Sequence, residues 1–385
     1  MSPCQTAERM EDTMKRTLRA AALCLLLTLS LLSSAWASAL SAAEAANTAL
    51  ASQASVRPER LLDQEALLPA GSSASDWLAM AFALSGVEAN YDGYLSRLES
   101  YVTSCYREQG YLHPVKATEY HRIALTVLAL GGDPTAFGSY QGQAIDLIAQ
   151  GTYNFSGELG AQGLNACIYA LLTLDAGHYQ VPREARYTRE ALCGAILAAQ
   201  EPDGGFGLVS GSSDVDITAM ALQALAPYQG NCAQAIQRAL TYLSVQMSDD
   251  CTFQSYGAES AESVAQVLIA LCALGIDPET DSRFVRPEMT LVQALERFRM
   301  PEGGYAHTLE ENAPNLMATE QSLLALLALE RREQGLRLFD FTDVRPVQAR
   351  SLSPLVWIIP LALLLLAGGG YVYKKRRTTH GTTDQ

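Results

Sequence analysis

Six apolar segments of this chain share one design, a run of Ala and Leu that ends in a small or polar break: WLAMAFALSG, RIALTVLALGG, ACIYALLTLDAG, TAMALQALAP, VLIALCALG and SLLALLALE. Their last leucines, Leu84, Leu130, Leu174, Leu225, Leu274 and Leu329, follow one another at intervals of 46, 44, 51, 49 and 55 residues. A near-constant period in this range marks a repeat architecture, because a single unit cannot bury its apolar face without its neighbours. The runs are apolar nearly all round, which predicts helices covered on both sides.

Between them lie more amphipathic stretches, YLSRLESYVTSCYRE, YQGQAIDLIAQ, REALCGAILAAQ, CAQAIQRALTYLSVQ and TLVQALERF, which predict outer helices. Each unit then consists of an outer helix, a turn and an inner helix. Six such units predict an all-α fold, a double ring of inner and outer helices, since a linear stack would need atypical capping units at both ends. An open superhelix is the alternative way to stack them.

The turn has its own signature. QEPDGGFG, residues 200–207, returns as RMPEGGYA at 299–306. Pro202 and Pro301 stop the preceding helix, the paired glycines permit a left-handed cap, and Phe206 and Tyr305 supply an apolar plug. In the same slot of other units stand EQGYL, AQGTYNF and VQMSDDCTF, with the glycines reduced or gone. A loop that decays in this way from unit to unit is expected to be a joint.

QEPDGGFG resembles the Gln/Trp-type motif of squalene–hopene cyclases and the equivalent loops of protein prenyltransferase β subunits. The six-unit layout is similar to the α/α toroid that these families share, over residues 76–330. Cobalamin-carrier α domains and complement thioester domains are similar in plan. Within the fourth inner helix, Asp214 to Ala219 resembles the Asp-x-Asp-Asp-Thr-Ala segment of class II terpene cyclases. That resemblance implies Asp216 as the general acid and Asp214 as its hydrogen-bonded neighbour. Ile217 departs from the pattern by replacing the third Asp, which removes one member of the network that keeps such a carboxyl acidic. Read from the residues alone, Asp214 and Asp216 are good capping and first-turn groups.

Other inner helices also carry polar groups near their start, among them Glu119, His121, Glu262 and Glu320. Gathered at one rim of a ring, these four are candidate ligand-binding residues at the mouth of an apolar funnel. Zinc is tested by Asp249, Asp250, Cys251 and His307, because the prenyltransferases that the chain resembles hold zinc with an Asp-x-Cys pair and a His. Here the pair falls in a turn rather than at an inner-helix start, so no metal is expected, and no cofactor.

The ends of the sequence carry targeting signals. Lys15, Arg16 and Arg19 precede an apolar run from Ala20 to Leu32 and small residues at Ala35 and Ala37, so residues 1–37 are expected to be a signal peptide. Residues 38–75 are an Ala/Ser-rich segment and 331–353 a linker. Residues 354–373 predict one transmembrane helix, with Trp357 and Tyr371 near its ends. Lys374, Lys375, Arg376 and Arg377 follow, placing the tail 374–385 in the cytoplasm. The expected location is the cell membrane, single-pass, with the toroid outside.

A net charge of −14 repels phosphate backbones, so nucleic acid is not an expected partner. Export permits disulfides among the six cysteines beyond the leader, with Cys232 and Cys251 as candidates, whereas Cys167 and Cys272 sit in apolar helical patterns that suit buried thiols. The expected function is binding of an apolar small molecule or a protein partner. The alternatives are a class II terpene cyclase using Asp216 and a cobalamin-carrier-like binding domain.

Overall fold

A computed structural model describes residues 39–344 apart from residue 256. The signal peptide, the transmembrane helix at 354–373 and the basic tail expected from the sequence lie outside the described residues. Among the described residues no helix is long and apolar enough to cross a membrane.

The six Ala/Leu runs form six helices: α2 (Ser73–Ser85), α4 (Ala117–Ala129), α6 (Asn165–Ala176), α8 (Val215–Leu225), α10 (Ala261–Ala273) and α12 (Leu316–Glu333). Each packs on the next, and α12 packs on α2, so the ring closes and no open superhelix forms. Between them run α3 (Tyr91–Gln109), α5 (Leu147–Gly151), α7 (Arg189–Ala198), α9 (Gln229–Gln246) and α11 (Leu291–Glu296). The last four lie against α4, α6, α8 and α10 respectively. Nearly every residue of α10 is buried, as an all-apolar helix between two layers requires.

A further helix, α1 at 39–53, comes from the Ala/Ser-rich segment. Its buried face is Ala39, Ala42, Ala43 and Ala46. The Ala39 amide donates to Glu330 Oε1 at 3.1 Å, which seats α1 against α12. Small side chains let the two backbones approach closely.

Two expected outer helices are shorter than the sequence pattern implied. YQGQAIDLIAQ begins with a hairpin, β1 (Ser139–Tyr140) paired with β2 (Gln143–Ala144), before the one-turn α5. Gln141 and Gly142 both have positive φ, 51° and 78°, the geometry of a tight two-residue hairpin turn that a helix cannot hold. TLVQALERF likewise follows β5 (Val285–Arg286) and β6 (Met289–Thr290), and β3 (Gln254–Ser255) pairs with β4 (Ala258–Glu259) ahead of α10. Among the described residues the fold is therefore mostly helical with three two-residue ladders rather than purely helical.

The repeated turn is a joint with the same bonds twice. Phe206 and Tyr305 are fully buried. The Phe206 amide donates to Thr218 Oγ1 at 2.8 Å and the Tyr305 amide to Thr319 Oγ1 at 2.9 Å. Asp214 N donates to Phe206 O at 2.9 Å, and Asn315 N to Tyr305 O at 2.8 Å. Asp214 and Asn315 then cap α8 and α12.

At the first inner helices of the chain, α2 is pinned to α4 by a buried ion pair. Asp76 accepts from Arg122 Nε at 2.9 Å, from the Tyr94 hydroxyl at 2.7 Å and from the Gly71 amide at 3.0 Å. All six cysteines among the described residues are free thiols. Cys251 donates to Met289 O at 3.2 Å, and the candidates Cys232 and Cys251 form no bridge.

Candidate functional site

The inner helices enclose a hollow lined from their second turns onward by Trp77 of α2, Tyr169 of α6, Met220 and Gln223 of α8, Gln266 and Ile269 of α10, and Glu320, Gln321 and Leu324 of α12. Its enclosed space is about 40 Å³. The far end is stopped by chain that the sequence placed in a linker. After α12 the backbone turns at Gly335, Leu338 is buried, Phe341 N donates to Ala176 O at 3.1 Å, and Phe339 reaches the hollow.

The lining is mixed where an apolar funnel was expected. Gln223 Nε2 donates to Gln266 Oε1 at 2.8 Å, and Gln266 Nε2 to Gln321 Oε1 at 3.1 Å, so an amide chain links three consecutive inner helices. Trp77 stands 6.0 Å from Tyr169 and 6.2 Å from Phe339, ring centre to ring centre, both pairs tilted. These rings lie deep in the molecule yet keep part of their surface open, because that surface faces the hollow.

Glu320 is the one acid in this lining. It is 3% exposed and its Oε2 has no hydrogen-bond partner among the described residues. Burial, with Glu262 adding like charge, pushes its carboxyl well above the usual range. No Lys or Arg stands among the residues that line the hollow with it.

The other candidate residues are placed as follows. Glu262 is held by His307, whose Nδ1 lies 2.9 Å from its Oε2. Glu119 pairs with Arg122 at 2.7 Å and joins the Asp76 network rather than the hollow. His121 is fully buried against α5 with Nε2 2.7 Å from Gly151 O, and burial pushes its pKa down to about 4, so it is neutral. Of the four candidate ligand residues the structure brings Glu262 and Glu320 together, and sets Glu119 and His121 elsewhere.

Asp214 is spent on α8, its Oδ1 accepting from the Asp216 and Ile217 amides at 3.0 Å and its Oδ2 from the Ser255 hydroxyl at 2.7 Å. Asp216 has an unpartnered Oδ1, and burial pushes it up to about 6 against the pull of Ser263 and Ser255. It is not among the residues that line the hollow. Asp250 is bound by Arg297 at 2.6 Å, Cys251 by Met289 and His307 by Glu262, which separates the groups tested for zinc. Among the described residues no three His, Cys, Asp or Glu side chains are arranged to hold a metal ion.

Sequence reasoning missed Trp77, Tyr169, the three glutamines and Phe339. A signal existed for most of them: Tyr169 interrupts ACIYALLTLDAG and Gln223 interrupts TAMALQALAP, each a group with polar atoms inside an otherwise apolar run. Phe339 had none.

No family model matches the sequence, and no curated protein matches it. Among solved structures the chain is similar to Candida albicans protein geranylgeranyltransferase-I complexed with GGPP, with a TM-score of 0.50 and 10% identity over 74% of this chain and 90% of that one. At this identity the likeness is one of fold, a prenyltransferase-like α/α toroid.

Proposed function

We propose that the chain is a binding protein, an α/α toroid exported through its leader, tethered by the helix at 354–373, and holding a small molecule in its central hollow. The observation that carries this is Glu320, a buried acid with an unpartnered oxygen in a ring-lined space. A buried polar group without a partner costs roughly 1–3 kcal/mol, and a ligand that supplies the partner recovers it. Small-molecule sites have this form, mostly apolar walls with a few converging polar groups.

Diphosphate chemistry of the kind named for the fungal neighbour does not suit this hollow. Its lining holds a buried acid and no cation, so nothing there would neutralise a diphosphate.

The test is native mass spectrometry of the full chain purified in mild detergent. A bound small molecule is expected, lost when Met220→Trp fills the hollow. A chain that carries nothing and gains no thermal stability from any small-molecule library overturns the reading.

One observation favours a second reading, cyclisation of a polyprene by Asp216. Its carboxyl titrates near 6 with a free oxygen, as a stored acid would. This predicts turnover of squalene by the purified chain, abolished by Asp216→Asn.

A further inference from the structure

The hollow has a charge pattern that narrows its ligand. Three aromatic rings from separate parts of the chain, Trp77 on α2, Tyr169 on α6 and Phe339 after α12, border one space together with Glu320. Ring faces carry partial negative charge and attract cations, by about 2 kcal/mol or more when water is excluded. Glu320 adds a carboxyl whose charge is disfavoured by burial and by the nearby Glu262 on α10, and would be favoured by an entering cation. Nothing positive in the lining offsets these groups. An apolar occupant would leave Glu320 Oε2 unpaired, and an anion would find no cation in the lining to pair with. The amide chain from Gln223 to Gln321 is satisfied within itself and asks for no ligand charge of its own.

We propose that the ligand of this hollow is a small organic ammonium ion, surrounded by the Trp77, Tyr169 and Phe339 rings and paired with the Glu320 carboxylate. This rests on the binding function proposed above and specifies its substrate class. With about 40 Å³ enclosed, the hollow takes the ammonium head and leaves any longer chain in its mouth.

Calorimetry of the full chain with choline, with tetramethylammonium and with 3,3-dimethylbutan-1-ol, the uncharged isostere of choline, tests it. Both cations are expected to bind, with the alcohol at least tenfold weaker. Glu320→Gln, which keeps shape and removes the charge, is expected to weaken choline at least tenfold, as is Trp77→Leu. Equal binding of choline and the alcohol overturns the ammonium assignment and leaves the binding function standing. Choline binding that Glu320→Gln does not change also overturns it, since the cation then sits elsewhere. If neither cation binds the unmodified chain, the assignment falls. The binding function falls with it only if native mass spectrometry also finds the hollow empty.

Discussion

The backbone amide of Phe206 donates to the hydroxyl of Thr218 at 2.8 Å, tying the end of one repeat's turn to the first turn of the helix that follows. Tyr305 and Thr319 repeat the bond at 2.9 Å in the last unit. Both aromatic side chains and both threonines are buried. Thr218→Val keeps the shape and strands the Phe206 amide. The expected loss is about 1–3 kcal/mol, with Thr319→Val similar. Urea unfolding measures it, and a change below a few tenths in both variants would show that the bond is not what sets the joint.

The resemblance to the cyclase segment made Asp216 the general acid and Asp214 its hydrogen-bonded neighbour, whereas the Asp214 carboxylate bonds the start of α8 and Ser255. Asp214 is a helix cap, as Asn315 is in the corresponding place of the last unit. Asp214→Ala is expected to cost about 1 kcal/mol. Asp216→Asn is expected to be neutral or stabilising at pH 7, because it removes a buried charge and keeps the volume. A comparable loss from both would sink the distinction.

Asp216 also sets a pH dependence of unusual sign. Its carboxyl titrates near 6 in the fold against 3.8 ordinarily, so between those values the folded chain holds a proton that the unfolded chain has released. The Asp216 contribution to stability should therefore rise as pH falls from about 7 towards 4. Two pKa units correspond to about 2–3 kcal/mol at most, less whatever solvent screens at this partly open site. Glu330, raised to about 7 by burial, acts in the same direction. His121 opposes them between about pH 6.5 and 4, because burial holds it near 4 in the fold, and Asp250 opposes them below about pH 4, because Arg297 holds it near 2. Thermal unfolding of the unmodified chain and of Asp216→Asn between pH 4 and 8 checks this, the difference between the two curves isolating Asp216 from His121. A difference that does not change between pH 7 and 4 would be incompatible with a buried, proton-hungry Asp216.

The ion pair between Asp76 and Arg122 offers a third measurement. The Asp76 side chain is fully buried and that of Arg122 6% exposed, so removing either partner leaves a charge with no water to solvate it. Arg122→Met is expected to cost about 3–5 kcal/mol, and Asp76→Leu added to it to restore much of that loss. The double-mutant comparison in denaturant shows whether the pair couples; additive losses would mean that it does not.

The inner ring was legible because an all-apolar run repeated at a fixed interval has few ways to hide its surface. What sits inside the ring was not. The runs identify which helices face inward, but one residue per turn decides what the hollow holds. Gln223, Gln266 and Gln321 become meaningful only when closure sets three helices side by side. The hairpin at 139–144 was hidden because the spacing of Ile145, Leu147 and Ile148 also fits a helix, and only the positive φ at Gln141 and Gly142 excludes it. The α1 helix could have been seen, since Ala39, Ala42, Ala43 and Ala46 follow helical spacing, but alanine carries too little hydrophobic contrast to announce a buried face.

That helix depends on one glycine. Gly303 adopts φ of 111°, and a Cβ there would come 2.3 Å from the Ala45 carbonyl oxygen of α1. The obstacle is backbone, so no side-chain rotation relieves it, and Gly303→Ala must push α1 away from the ring. Gly275 has a similar left-handed φ of 74° with nothing within 4 Å of the added methyl. Gly275→Ala therefore isolates the conformational cost alone, about 1 kcal/mol. Gly303→Ala should exceed it by at least about 1–2 kcal/mol, the range for forcing extra atoms into a packed site. Hydrogen exchange gives the more pointed readout. Amides of residues 39–53 should lose protection in Gly303→Ala and keep it in Gly275→Ala. Equal protection of that helix in the two variants would mean that α1 is held by something other than this contact.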